Sequence, residues 1–269
     1  MAILTLPLVL SVVLTELAVG GAFLVWFVDR TGRAPSGFIQ LVTVLDVAAM
    51  AAALALGPTF PRGEAAERAG LDPAPLGAFA QALSVVLVLV GIQLVTAFLP
   101  ARGLRSAAGL LAVLAGAATL GIAAIARPSQ SPYDVFALVA LPLGALALGG
   151  SDGAMLLGHW YLVTPKLSPA PLQRAALVVV AAVALQLALV TITAFRGDLT
   201  GSWETALTVA LAIRIGVGLL MTLAVAAAAW WTARMNTQSS TGLLYVALGC
   251  VFAGEVSARV IFFLTGVPV

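Results

Sequence analysis

The sequence predicts an all-α integral membrane protein, a bundle of eight transmembrane helices that forms a single domain over residues 1–269. Of its 269 residues, 62% are apolar and only 9% are charged, whereas soluble domains average roughly 25% charged residues. Runs of the roughly 20 apolar residues that cross a bilayer occur repeatedly along the chain. We place these spans at 3–28, 38–57, 79–99, 106–126, 134–162, 175–195, 205–231 and 241–267.

The breaks between the spans contain glycine, proline and charged residues that are typical of turns. The first break follows Asp29 and contains Gly32. The second, 58–78, is the longest and leaves room for a short interfacial helix. The remaining breaks are shorter, and no soluble domain is predicted; they lie at 100–105, 127–129, 165–171, 196–198 and 234–240.

Basic residues predict the orientation, because Lys and Arg in short loops stay on the cytoplasmic side. The loops after the odd-numbered spans contain a single acid, Asp29, whereas the opposite loops contain four bases and six acids. We therefore expect both termini on the outer, periplasmic side of a bacterial plasma (inner) membrane. The seven bases of the predicted cytoplasmic loops are Arg30, Arg33, Arg102, Arg105, Lys166, Arg174 and Arg234.

The first apolar run is expected to be a retained helix. A cleaved signal peptide has a basic start and an apolar core of about 7–15 residues. Here the apolar run is longer, and no base precedes Asp29.

Six charged side chains lie inside the predicted spans, where a charge near the bilayer centre costs at least ~2.5–3.5 kcal/mol. Each therefore needs a partner, a water-filled cavity or a functional role. The single histidine, His159, lies nearer the cytoplasmic end of the fifth span. The six charged residues are Glu16, Asp46, Asp152, Arg214, Glu255 and Arg259.

Glu255 and Arg259 are four residues apart and share one face of the eighth span. They either form a structural ion pair or, with Arg214 of the seventh span, line a polar pocket. If Arg214 also bound Glu16 or Asp46, the cluster would hold more acids than bases, and the leftover carboxylate could carry a proton. For both of these acids, an inter-helix hydrogen bond is the alternative to a proton-handling role. Gly20 and Gly21, which follow Glu16, would let a neighbouring backbone approach closely.

The fifth span contains the sequence GGSDG at 149–153. Each glycine weakens a helix by about 1 kcal/mol relative to alanine, which predicts a bend or break that borders a cavity. Asp152 and His159 are seven residues apart and project from one face. His159 precedes Trp160 and Tyr161, so it is either an interfacial histidine bonded to a neighbour or part of a site.

The chain has one cysteine, one histidine and one lysine, and these counts exclude several classes of cofactor site. One cysteine, Cys250, excludes a disulfide, a cysteine-ligated zinc site and an iron–sulfur cluster built from this chain alone. One histidine excludes bis-histidine haem, and the only lysine, Lys166, is in a loop where it cannot hold retinal. No metal site, no haem, no nucleic-acid binding and no self-contained hydrolysis are expected.

Two short segments resemble the membrane-anchor subunits of molybdenum oxidoreductases, the dimethyl sulfoxide reductase anchor and polysulfide reductase anchor group. The first is TELAVGG at 15–21, and the second is GEVSARVIFF at 254–263, similar to a terminal Gly-Glu-x-x-x-Arg-x-x-Phe-aromatic run. The resemblance implies a subunit that exchanges electrons between menaquinol or ubiquinol and a partner iron–sulfur subunit, beside a catalytic subunit. Some relatives bind quinol with a histidine near the end of the second helix, and residues 38–78 contain none.

Carried over by position, Glu16, Glu255 and Arg259 are the candidate catalytic residues, which line or support the quinone pocket. Candidate cofactor-binding residues are Arg214, Asp46, Asp152 and His159. The outer-face loops 58–78, 127–133 and 196–204 would dock the iron–sulfur partner.

Two other functions stay open from the sequence. A small secondary transporter or permease would use the buried charges as a substrate or proton site. A structural subunit of a membrane complex would use them only for packing.

Overall fold

The computed structural model describes residues 2–128, 135–163, 168–199, 203–235 and 237–269. It confirms eight helices long and apolar enough to span a membrane, and the described residues contain no strand. The chain therefore has the character of a multi-pass helical membrane protein. The eight helices are α1 (Ala2–Asp29), α2 (Ser36–Ala55), α3 (Pro73–Ala97), α4 (Arg102–Ile125), α5 (Val135–Val163), α6 (Ala170–Phe195), α7 (Thr205–Thr232) and α8 (Thr237–Thr265).

Several helices extend beyond the apolar runs that predicted them. The helix α3 begins at Pro73 rather than at 79, because Asp72 caps it and proline is well tolerated in the first turn. The Asp72 side chain accepts a hydrogen bond from the backbone N–H of Ala74 at 3.0 Å. The long break before α3 contains a 3-10 turn, Gly57–Thr59, and a short helix, Glu64–Arg68, in agreement with the predicted short helix.

The eight helices form two four-helix halves. Within α1–α4 each helix packs against the next and α4 closes onto α1, and α5–α8 repeat this pattern. The halves meet through α1 and α5, flanked by contacts of α1 with α8 and of α4 with α5. The contacts are symmetric between the halves: if α1 is exchanged with α5 and α4 with α8, the same pairs of helices are in contact. This symmetry is typical of a parallel repeat. The two central helices, α1 and α5, therefore cross where both halves can reach them.

Glycines bring the backbones of α1 and α5 into direct contact. A Cβ at Gly20 would lie 1.8 Å from the carbonyl oxygen of Ala145. A Cβ at Gly149 would lie 2.3 Å from the carbonyl oxygen of Leu17. The predicted close approach at Gly20 is therefore present, and it follows the small-residue packing common between membrane helices.

Of the predicted bend or break at 149–153, the break was wrong, because α5 is a continuous α-helix through this segment. Its glycines serve packing instead. Gly149 accommodates the α1 backbone, and a Cβ at Gly153 would lie 2.5 Å from Leu24 Cδ2. The energy lost in helix propensity is offset by contact with α1.

The irregular helix is α7, in which Ile213–Met221 forms a π-helix. Such segments are rare, mostly single-turn insertions, and they occur frequently at functional sites. At this level Gly218 of α7 packs on Gly254 of α8, and a Cβ on either would lie 2.4 Å or less from the other's Cα. The π-helix thus lies directly against the turn of α8 that precedes Glu255.

Arg127 ties three segments together at the face that carries the C-terminus. Its guanidinium donates hydrogen bonds to the carbonyl oxygens of Ala69 at 2.9 Å, Gly70 at 2.7 Å and Leu264 at 3.0 Å. Burial lowers the pKa of Arg127. The described parts of the loops 58–78 and 127–128 are therefore held to the end of α8; residues 129–134, 164–167 and 200–202, with Asp134 and Lys166 among them, lie outside the described residues.

Substituting Arg127 by glutamine is expected to lower the free energy of unfolding by about 1.5–3 kcal/mol, the contribution of hydrogen bonds to a charged group. Thermal unfolding in detergent measures this change. The matched control is Arg68→Gln, because Arg68 is exposed and pairs only with Glu64 at 3.3 Å. Equal stability of the two variants would show that the Arg127 contacts do not hold this face together.

Candidate functional site

Four of the predicted charged residues converge in one buried cluster. Arg259 Nη2 lies 2.7 Å from Glu255 Oε2, and Arg214 Nη1 lies 2.8 Å from Glu255 Oε1. Arg259 Nε lies 2.9 Å from Glu16 Oε1, an ion-pair contact without hydrogen-bond geometry. Each of the four side chains is at most 1% exposed. Helices α1, α7 and α8, from both halves of the bundle, thus meet at a single chain of charges.

Helices α5 and α6 complete the surroundings of the cluster. Gln186 Nε2 of α6 donates a hydrogen bond to Glu255 Oε1 at 2.8 Å. Arg259 Nη2 also donates to the carbonyl oxygen of Ala140 on α5 at 3.4 Å. A Cβ at Gly144 would lie 2.7 Å from both Arg259 Nη2 and Glu255 Oε2. The glycine therefore makes room for the charged groups against α5.

The cluster contains two carboxylates and two guanidinium groups, so its formal charge is balanced. The excess of acids, which was expected only if Arg214 bound Glu16 or Asp46, does not arise. Arg214 binds Glu255, the acid already paired with Arg259, and neither Glu16 nor Asp46. The i, i+4 pair of Glu255 and Arg259 was predicted and is present.

Part of the hydrogen-bonding capacity of the cluster is not used by the described residues. Arg259 Nε and Glu16 Oε1 face each other without hydrogen-bond geometry. Beyond that pair, the N–H donors Arg214 Nε and Arg259 Nη1 have no acceptor among the described residues. The acceptors Glu16 Oε2 and Gln186 Oε1 have no donor there either. Buried polar groups in native proteins are nearly always hydrogen-bonded to something. The cluster therefore has unused capacity both to donate and to accept hydrogen bonds.

Asp46 and Asp152 do not join this cluster. Asp46 of α2 is 2% exposed, and Gly21 gives it room, because a Cβ there would lie 2.0 Å from Asp46 Oδ1. Asp152 of α5 is half-buried and close enough for the two charges to interact. Asp46 Oδ2 has no hydrogen-bond partner among the described residues. These two acids form a separate group between α2 and α5.

His159 lies at the exposed end of α5, away from the cluster. Its Nδ1 is 3.0 Å from the hydroxyl oxygen of Tyr245 on α8, and the two rings meet edge to face at 83°. The predicted bond of His159 to a neighbour is therefore present, and its position at the membrane interface stays a prediction.

Three features of the site were not predicted from the sequence: Gln186, Gly144 and the π-helix of α7. Gln186 is neutral, so a search for charges passes over it, although it is the only amide within the predicted span 175–195. Gly144 carries no chemical signal. The π-helix that carries Arg214 has no proline or other local marker.

Comparison with known proteins adds no assignment. The chain matches no protein-family model, no curated protein and no solved structure. Among the described residues, no group of three or more His, Cys, Asp or Glu side chains could hold a metal ion. What the cluster can do must therefore be argued from its own chemistry.

Proposed function

We propose that the chain is a quinone-interacting membrane-anchor subunit of a respiratory oxidoreductase. It exchanges electrons between membrane quinol and a partner iron–sulfur subunit that docks beside a catalytic subunit. The cluster of Glu16, Arg214, Glu255 and Arg259, with Gln186, is the proposed quinone site. The substrate is menaquinone or ubiquinone.

One observation carries this proposal: apart from the facing atoms Arg259 Nε and Glu16 Oε1, two donors and two acceptors of the buried cluster have no partner in the described part of the chain. A quinone offers two carbonyl oxygens as acceptors, and its reduced form offers two hydroxyl donors. Arg214 Nε and Arg259 Nη1 suit the oxidised form, whereas Glu16 Oε2 and Gln186 Oε1 suit the reduced form. The same side chains can therefore hold both redox states.

Glu16 is the proposed proton acceptor, and it takes the two protons in turn, because it releases the first to water before it accepts the second. Oxidation of one quinol releases two electrons and two protons, so the breaking O–H bonds need nearby bases. Glu16 meets one base only, Arg259, through Oε1, and its Oε2 has no partner among the described residues. Glu255 instead binds Arg214, Arg259 and Gln186, so it positions the donors rather than accepting a proton. The two electrons leave for the partner's iron–sulfur cluster.

Access to the cluster would require α7 to move, because the charged side chains are enclosed. The wall of the cluster at α7 is the π-helix Ile213–Met221. Because π-helical segments occur frequently at functional sites, we assign the movement to this segment. Quinone, which is dissolved in the lipid, would then enter beside Gly218, where α7 and α8 touch without side chains.

The orientation and cellular location belong to this proposal. The loops after the odd-numbered helices contain seven bases against one acid, which supports a cytoplasmic position for those loops and a periplasmic position for both termini. The membrane is then a bacterial plasma (inner) membrane. The iron–sulfur partner docks on the face where Arg127 holds the loop 58–78 to the end of α8.

The substitution Glu16→Gln tests the proposal in the complex purified with its partners in mild detergent. Glutamine keeps the size of the side chain but cannot take up a proton, so quinol oxidation is expected to slow at least roughly 100-fold, the usual contribution of a general base. The control is Arg102→Gln, which changes an exposed residue at the opposite face, outside the cluster and outside the proposed docking loops. An unchanged rate in assembled Glu16→Gln complex, or purification without an iron–sulfur protein, would contradict the proposal.

A proton-coupled transporter is the second candidate function, favoured by the Asp46 and Asp152 group. Paired acids inside a membrane are typical of proton relays in transporters. Such a protein would work alone, so the chain reconstituted by itself in liposomes would drive solute uptake in response to a pH gradient. A structural subunit, the third possibility, would show neither this uptake nor any loss of quinol oxidation in Glu16→Gln.

A further inference from the structure

Two arginines line one cavity at the face opposite the termini. The cavity, of about 170 Å³, opens between the α1–α2 connection and the start of α6. Its lining consists of Thr31, Arg33, Ala170 and Arg174. Both arginine side chains are exposed and come from segments far apart in the sequence. The fold therefore brings two positive charges to the same opening.

The protein has no carboxylate at this face to neutralise them. Asp29 is the only acid in or beside the loops that connect the helices there. It is already bound by Arg105, with Nε and Nη2 each 2.8 Å from one of its carboxylate oxygens. Two like charges around one cavity repel each other. The opening therefore attracts an anion from outside the chain.

The chemistry of the opening favours a phosphate group. Guanidinium groups bind phosphate oxygens with paired hydrogen bonds. Ala170 is the first residue of the 26-residue helix α6, whose positive end adds to the two arginines. At the surface of a bilayer the most abundant anions are the phosphates of lipid headgroups.

We propose that Arg33 and Arg174 bind the phosphate of an anionic lipid headgroup in this cavity. The site is independent of the quinone proposal, because it lies at the end of the bundle and shares no residue with the buried cluster. It would fix an annular lipid between α1, α2 and α6. The same groups could also take free phosphate, which the test must separate from lipid.

The test uses the full chain, purified and freed of lipid in a non-ionic detergent. Native mass spectrometry follows binding of phosphatidylglycerol, of phosphatidylcholine and of inorganic phosphate. The variant is Arg33→Gln/Arg174→Gln, and the matched control is Arg102→Gln/Arg234→Gln, which removes two charges from the same face outside the cavity. Each arginine near a charged headgroup contributes about fivefold in affinity, so the cavity variant is expected to bind phosphatidylglycerol about 30-fold more weakly.

The outcomes separate the sources of the phosphate. Preferential binding of phosphatidylglycerol, lost in the cavity variant and kept in the control, supports a lipid site. If inorganic phosphate binds as tightly as phosphatidylglycerol, and through the same two arginines, the phosphate chemistry is supported and the lipid assignment is overturned. An equal loss of lipid binding in both variants, or no preference for phosphatidylglycerol over phosphatidylcholine, would overturn the site itself. Thermal unfolding of both variants verifies that each is folded.

Discussion

Replacing Glu255 with leucine is expected to lower the free energy of unfolding by about 3–5 kcal/mol, the usual consequence of breaking a buried ion pair. Glu255 contacts both guanidinium groups of the cluster, at 2.7 Å and 2.8 Å. Its loss leaves Arg214 and Arg259 with a single acid, Glu16. The side chains of these three residues are each at most 1% exposed, so water cannot replace the lost carboxylate. Unfolding in a denaturing detergent, followed by circular dichroism, measures the change.

A charge-balanced double variant separates charge from packing. In Arg214→Leu/Glu255→Leu, the ion pair of Glu16 and Arg259 remains and the cluster is neutral again. Replacing a buried ion pair by apolar residues of similar size is often neutral or stabilising. We therefore expect the double variant to be more stable than Glu255→Leu. A loss of stability equal to the sum of the two single losses would show that the charges do not interact.

The second large effect is expected at the crossing of α1 and α5. Substituting Gly149 by alanine places a methyl group 2.3 Å from the Leu17 carbonyl oxygen and 2.4 Å from the Gly21 nitrogen. Backbone atoms on both sides cannot move aside as a flexible side chain would. We expect a loss of about 3 kcal/mol, at the upper end of the usual cost of overpacking. Thermal unfolding in detergent measures it.

The matched control is Gly91→Ala in α3, where a Cβ would meet nothing within 4 Å. Alanine favours a helix over glycine by about 1 kcal/mol, so this variant is expected to be as stable as the natural chain or slightly more stable. If the two variants had the same stability, the halves of the bundle would not depend on the glycine contact.

The helices could be predicted from the sequence because each apolar run has the length that a bilayer requires. Their ends were less accurate. The first turn of α3, which Asp72 caps, contains Pro73 and Pro75, and prolines in a sequence are typical of turns. The number of helices followed from counting these apolar runs. The pair of Glu255 and Arg259 followed from their separation of four residues.

The arrangement of the cluster could not be predicted in full. Which acid Arg214 binds depends on the π-helix of α7 and on the contact of Gly218 with Gly254, and both depend on packing between helices. The glycines at 149–153 look like a helix break in isolation, since the backbone of α1 that they accommodate is distant in the sequence. Local propensity was overruled by tertiary contact in both cases.

Direct binding of quinone to the purified chain is the measurement that tests the proposed site most directly. A short-chain menaquinone or ubiquinone analogue is titrated into the natural chain and into the Arg214→Leu/Glu255→Leu variant, after thermal unfolding has verified that both are folded. We predict binding by the natural chain and at least tenfold weaker binding by the variant, which lacks Arg214 Nε as a donor and the carboxylate that positions Arg259. Equal affinity of the two proteins, or no binding by the natural chain, would contradict a quinone site at this cluster.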